Sequence, residues 1–150
     1  MIYKIDHYYN IDHDAQCLII KSDIEVERLV QILASIQFKF EELIDESVSV
    51  DEEHILSLLK EFYEVEDVKE QYKKYIPYTR LENDDWETVN VFRFTHDNFD
   101  ITQIDLYEAR ESCCGKKYKE IMKNVLPNDE KLKLLDSTIK ELKNFYIERI

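Results

Sequence analysis

The spacing of apolar residues along the chain changes near residue 22. Ile and Tyr dominate residues 2–9, a polar connection follows, and residues 17–21 form a short apolar run. This pattern predicts an antiparallel hairpin. Beyond the hairpin, apolar side chains recur every three or four residues, which predicts a long helix over 23–46 that begins at a capping box from Ser22 to Glu25.

Helical spacing returns twice before the middle of the chain. A second capping signature starts at Ser49, and the apolar positions that follow it predict a helix through Tyr63. A third helix is predicted over 66–76. It should end at Pro77, since proline lacks the backbone N–H that a continuing helix needs.

In the second half of the chain, the residue pattern predicts one strand and two helices with clear ends. Residues 88–95 alternate β-branched and aromatic side chains, as strands do. Residues 99–111 fit a helix capped by Asp100 and also a strand that pairs back; the helix is the preferred interpretation, and the strand stays open. A short helix is predicted to end at Pro127.

The last predicted helix begins after Asn128, a residue type that favours helix N-caps. Its apolar side chains step by three and four residues and form a narrow seam of coiled-coil type: Leu132, Leu135, Ile139, Leu142 and Tyr146. Two heptads are few for a coiled coil. The preferred interpretation is therefore packing onto the same domain, and a homodimer formed through this helix is the alternative.

The chain is predicted to form a single globular domain over residues 1–150, because no repeat, low-complexity tract or flexible linker interrupts it. Its apolar content of 44% is enough for a real core. The predicted fold class is α+β, mainly helical, with a small antiparallel sheet made of the N-terminal hairpin and the strand near 89–94.

The composition excludes several common kinds of active site. The chain has one glycine, Gly115, and phosphate-binding loops, nucleophile elbows and dinucleotide turns all need glycine where the backbone takes positive φ or approaches a ligand. Codon bias in an AT-rich genome explains part of this deficit. The three cysteines do not make a disulfide framework, so we expect free thiols. The sequence has no apolar run long enough to span a membrane and no signal-peptide core. We therefore expect a cytoplasmic protein without membrane contact.

Charge divides the chain into an acidic body and a mildly basic helical C-terminal part. Residues 1–109 carry 26 acidic and 10 basic side chains, whereas residues 110–150 carry 7 and 10. Acids concentrate in two clusters, and no Lys or Arg occurs from residue 40 to 59. The cluster residues are Glu41, Glu42, Asp45, Glu46, Asp51, Glu52 and Glu53, followed by Glu82, Asp84, Asp85 and Glu87.

These clusters are the candidate partner-binding residues. They would repel nucleic acid, so direct DNA or RNA binding is not expected, and they would attract a basic protein surface of the kind that itself binds nucleic acid. The competing interpretation is a solvated face, with acids favoured at helix N-termini by the helix dipole.

Catalytic and metal-binding patterns are weak. His7 and His13 with neighbouring acids match no established metal site, and Asp51 precedes His54 by three residues without a second copy of that motif. Asp67 and Lys69 resemble part of a nuclease motif, but they fall in a predicted helix. Adjacent Cys113 and Cys114, even with His96, lack an orienting third group. No catalytic residue, metal or cofactor is therefore predicted.

The composition as a whole is similar to that of many phage or mobile-element inhibitors and of immunity proteins that neutralise nuclease toxins. We therefore expect a non-enzymatic cytoplasmic protein whose acidic face docks on, and blocks, a basic protein that handles nucleic acid. The alternatives are a small metal-dependent enzyme that uses His and Asp side chains, and an oligomerising structural protein.

Overall fold

The computed structural model of the chain describes residues 1–6, 17–46, 48, 50–76, 88–95, 98–106, 120 and 123–148. The strands are β1 (Ile2–Asp6), β2 (Leu18–Lys21), β3 (Glu66–Asp67), β4 (Thr88–Phe94) and β5 (Phe99–Asp105). The α-helices are α1 (Val26–Leu43), α2 (Glu52–Tyr63), α3 (Asp129–Glu141) and α4 (Lys143–Ile147), and a 3-10 turn spans Lys73–Tyr75.

The strands form one antiparallel sheet in the order β3-β2-β1-β4-β5. Tyr3 on the central strand pairs with Ile20 on one side and with Arg93 on the other. The predicted hairpin and the predicted strand near 89–94 therefore lie side by side. The α+β class with a small antiparallel sheet is confirmed.

The helices cover one face of this sheet. Alternation along β1 and β4 directs Tyr3, Ile5, Val89 and Val91 into the same core as the buried faces of α1 and α2. Helix α1 packs against β4 and β5, α2 packs against β3, and α3 contacts both α1 and α2. This main core is large because each of the three long helices has an apolar stripe and buries it there.

Helix α1 begins later than predicted, so the Ser22 capping box is wrong. The N-cap residue is Glu25, and Ser22 Oγ instead accepts a hydrogen bond from the Ile24 N–H at 3.1 Å. Tyr3 Oη donates to the Ile24 carbonyl at 2.5 Å. The residues between β2 and α1 therefore form hydrogen bonds with one another and with the central strand β1, and the helix begins after them.

The third predicted helix, over 66–76, is wrong. Glu66 and Asp67 pair with β2, and the chain then turns into the 3-10 segment. Buried Val68, with partly buried Tyr72 and Tyr75, packs near Cys17 on the sheet face opposite the helices. Successive tight turns keep a spacing of three or four between apolar residues, and this spacing is what the sequence shares with a helix.

The preferred helix over 99–111 is also wrong where the structure describes it. Residues Phe99–Asp105 pair along their whole length with β4. Between the two strands, the Thr95 N–H donates to the Asn98 carbonyl at 2.9 Å. The alternative interpretation, a strand, is confirmed for these residues. The neighbouring strand β4 offers them backbone hydrogen-bond partners that an isolated segment does not have.

The last helix begins where the sequence predicts, but it is divided at Leu142 into α3 and α4, so the single predicted helix is wrong there. Asn128 Oδ1 accepts from the Lys131 N–H at 3.2 Å, so the predicted N-cap is confirmed. Within the seam, Leu135, Ile139 and Tyr146 are buried in the main core of the same chain. The preferred use of this seam, packing onto its own domain, is confirmed. No helix in the described part of the chain is long and apolar enough to cross a bilayer.

Candidate functional site

The first predicted acidic cluster surrounds the connection between α1 and α2. Its seven residues, Glu41, Glu42, Asp45, Glu46, Asp51, Glu52 and Glu53, are here called the acidic corner. Glu42, Asp45, Glu46 and Glu53 are exposed, and the other three are half-buried. The second predicted cluster, Glu82, Asp84, Asp85 and Glu87, lies outside the described residues.

The acidic corner joins two helix ends of opposite polarity. Glu52 and Glu53 lie in the first turn of α2, where the positive end of the helix dipole stabilises carboxylates. Glu41 and Glu42 lie in the last turn of α1, which contains no basic residue, and there the dipole disfavours negative charge. Helix stability therefore accounts for the acids of α2 but not for those of α1.

Helix α4 contacts both of these helix ends through Tyr146. The Tyr146 ring is 3% exposed and lies edge-on to Phe40, with ring centroids 5.4 Å apart. Its hydroxyl accepts a hydrogen bond from the Asp51 N–H at 3.0 Å and shares another with His54 Nδ1. A hydroxyl group has one proton and two lone pairs, so Tyr146 Oη can serve both partners at once.

An exposed aromatic ring stands next to this contact. Phe145 is 41% exposed and lies edge-on to His54, with ring centroids 5.2 Å apart. His54 Nε2 is in turn 4.0 Å from Glu53 Oε1. The structure therefore places an apolar side chain at the border of the acidic corner. Sequence reasoning recognised Tyr146 as part of the seam but missed Phe145, because an aromatic residue beside a seam position gives no sign of what surrounds it.

The opposite end of the helical layer carries mixed charge. An open groove of about 570 Å³ lies there between the start of α1, the end of α2 and the start of α3. Arg28 and Lys131 share its lining with four acids, Asp23, Glu25, Glu61 and Glu64. The two bases offset part of the negative charge, so both charge signs are present in the lining.

Sequence reasoning also missed a buried ion pair on the sheet face opposite the helices. Lys4 Nζ lies 2.8 Å from Asp6 Oδ1, with side-chain exposures of only 1% and 2%. The ammonium group is 4.8 Å from the centre of the Phe92 ring. Alternation along β1 predicts that both residues share a face, but charged positions on a strand normally face solvent, so no signal in the sequence indicates their burial.

The single described cysteine, Cys17, is a buried free thiol. Burial raises the pKa of Cys17 above its ordinary value, which keeps the thiol protonated and poorly nucleophilic. The other candidates for thiol chemistry, Cys113, Cys114 and His96, lie outside the described residues.

Among the residues that the structure describes, no three His, Cys, Asp or Glu side chains are grouped to hold a metal ion. His7 and His13 lie outside this part of the chain. Asp67 belongs to β3, so the helical placement used to dismiss the nuclease-like motif is wrong. Its side chain is exposed and accepts a hydrogen bond from the Lys69 N–H at 3.1 Å, which is ordinary turn geometry.

A comparison of the chain with protein-family models, with curated proteins and with solved structures finds no match. The function is therefore argued from the site alone.

Proposed function

We propose that this protein is a small acidic binding protein whose acidic corner docks on a basic surface of another protein and blocks it. The observation that carries the proposal is the position of the exposed Glu42 in the last turn of α1. The helix dipole opposes its charge, and that turn contains no basic residue. A charge that helix stability does not explain is most simply explained by a partner.

The partner in this proposal is a basic protein that itself binds nucleic acid. Carboxylates gathered on one corner attract the Lys and Arg side chains that would otherwise contact phosphates, and they repel the nucleic acid itself. Because its net charge is −13, the protein associates faster with such a surface. Added salt screens the charges and reduces this increase in the association rate.

Affinity capture with a matched pair of variants tests the proposal. The corner variant carries Lys at Glu42, Glu46, Glu52 and Glu53. The control variant carries Lys at four exposed acids elsewhere, Glu25, Glu27, Glu61 and Glu66, so that the two variants have the same net charge. Both are first compared with the wild type by circular dichroism to confirm that they fold.

We expect the wild type and the control variant to capture the same basic protein at low salt and to lose it at high salt. The corner variant should not capture it, and duplex DNA or RNA added to the captured complex should release it in competition with the acidic corner. Equal capture by the corner variant, or equal loss by both variants, would contradict the proposal. Sedimentation at the same two salt concentrations identifies any self-association that mimics capture.

A further inference from the structure

Phe145 is partly exposed and packs against two other rings. Its ring lies edge-on to His54 and to Tyr146, with centroid separations of 5.2 Å in both cases. The neighbouring Tyr146 is buried and hydrogen-bonded to the backbone of Asp51. An exposed side chain that already packs against its neighbours loses less conformational entropy when a partner covers it, which is the property of a good binding anchor.

The acidic corner lies next to this anchor. Phe145 contacts His54, whose Nε2 is 4.0 Å from Glu53 Oε1. The adjacent Tyr146 contacts Phe40 of α1 and the backbone of Asp51. The aromatic pair of α4 therefore contacts both helices that carry the acidic corner, and its exposed ring lies beside the acidic start of α2.

A symmetric dimer does not fit this surface. In a symmetric dimer the same patch meets itself, so each acidic corner would face the other and the like charges would repel. A nucleic acid is repelled for the same reason. A segment that carries positive charges around an apolar side chain meets both features of the surface.

We infer that Phe145 and the acidic corner form one docking surface for a cationic amphipathic segment of a partner protein, in which an apolar side chain covers Phe145 and flanking Lys or Arg side chains pair with the acids. This inference rests on the proposed function and adds the kind of segment that is recognised. Covering the ring excludes water from the centre of the interface and strengthens the ion pairs around it.

Two labelled synthetic helical peptides serve as probes. Both carry the same number of Lys residues; one has Leu at positions four residues apart on one face, and the other has Ser at those positions. Fluorescence anisotropy at low salt measures the Kd of each peptide for the wild type. We expect the Leu peptide to bind about tenfold more tightly than the Ser peptide, as one good apolar anchor provides.

The Phe145→Ser variant should bind both peptides equally, because only the charged contacts remain. The matched control is Ile147→Ser, which removes another exposed apolar side chain, 47% exposed, from the same helix and about 200° around its axis. This control should keep the tenfold preference. Phe145→Leu keeps an apolar contact and should keep part of the preference, which separates loss of the anchor from loss of folding.

An unchanged preference in Phe145→Ser, or the same loss in Ile147→Ser, would overturn this inference. If the wild type binds both peptides equally and the corner variant binds neither, then the acids dock a basic segment and only the role of Phe145 is wrong. If the corner variant binds both peptides as tightly as the wild type does, the proposed function itself fails.

Discussion

The two ends of α2 are both attached by a tyrosine hydroxyl, yet their surroundings differ. At the end of the helix, Tyr63 Oη donates to the Val125 carbonyl at 2.9 Å, and burial raises the pKa of Tyr63 to about 12. At its start, Tyr146 Oη accepts from the Asp51 N–H. The first end lies beside a groove of mixed charge, whereas the second lies beside the acidic corner and an exposed phenylalanine.

The two ends of α2 differ in the balance of acidic and basic side chains around them. At the end of α2, Arg28 and Lys131 lie among the acids of the groove and offset part of their charge. At the start of α2 the acids add to one another, and those in the last turn of α1 oppose the helix dipole. The tyrosine at each end has a structural role, whereas the acids beside Tyr146 are the feature that we assign to binding.

Removing the hydroxyl at the acidic end should have the largest effect on stability. Tyr146→Phe deprives the Asp51 N–H and His54 of their shared partner, so the free energy of unfolding should fall by about 1–2 kcal/mol. Urea denaturation measures this change. An unchanged midpoint would show that Tyr146 acts there only through the packing of its ring.

Removing the hydroxyl at the other end should matter less at neutral pH and change the alkaline behaviour. Tyr63→Phe deprives the Val125 carbonyl of its donor, for a loss of about 1 kcal/mol. The folded pKa of Tyr63 is about 12 and the unfolded value is about 10, so wild-type stability is retained below pH 10 and falls as the pH rises towards 12.

The alkaline fall should therefore be smaller in Tyr63→Phe than in the wild type. Denaturation measured at successive pH values checks this, with Tyr146→Phe for comparison. Identical alkaline profiles of wild type and Tyr63→Phe would mean that other groups account for the fall.

Relieving backbone strain at the end of α2 should stabilise the protein. Glu64 is the single non-glycine residue with positive φ in the described part of the chain, at 55°, and the N–H groups of Glu64 and Val65 both donate to the Leu59 carbonyl. Glu64→Gly should therefore raise the unfolding free energy by about 0.5–1 kcal/mol. The control is Glu61→Gly, within the same helix, which should lower it by about 1 kcal/mol. Destabilisation by both changes would mean that the Glu64 side chain has a stabilising contact that outweighs the strain.

The smallest predicted effects test the comparison of the two acidic helix ends directly. Glu42→Gln should stabilise the protein and Glu53→Gln should destabilise it, each by about 0.3–0.5 kcal/mol at low salt, because the two residues lie at opposite ends of helix dipoles. Thermal melting at low and high salt measures the pair. Shifts of the same sign, or shifts that persist at high salt, would remove the dipole argument on which the proposed function depends.

The sequence determined much of the fold through local patterns. Alternation placed β1 and β4, helical spacing placed α1 and α2, and the Asn128 cap marked the start of α3. The sequence also located the acidic corner, because its acids lie within thirteen consecutive residues, 41–53, and need no tertiary contact to be neighbours. Patterns of this kind are read correctly when local preference and tertiary packing agree.

Tertiary contacts determined the features for which the local sequence pattern was ambiguous or gave no indication. Residues 66–76 keep a helical spacing but pack as a strand and turns, since β2 and the second sheet face give them partners. Residues 99–105 became a strand because β4 lay beside them. The position of Lys4 over Phe92 and that of Phe145 against His54 depend on residues far apart in the chain. Contacts over such distances arise only from the folded packing, because no local periodicity encodes them.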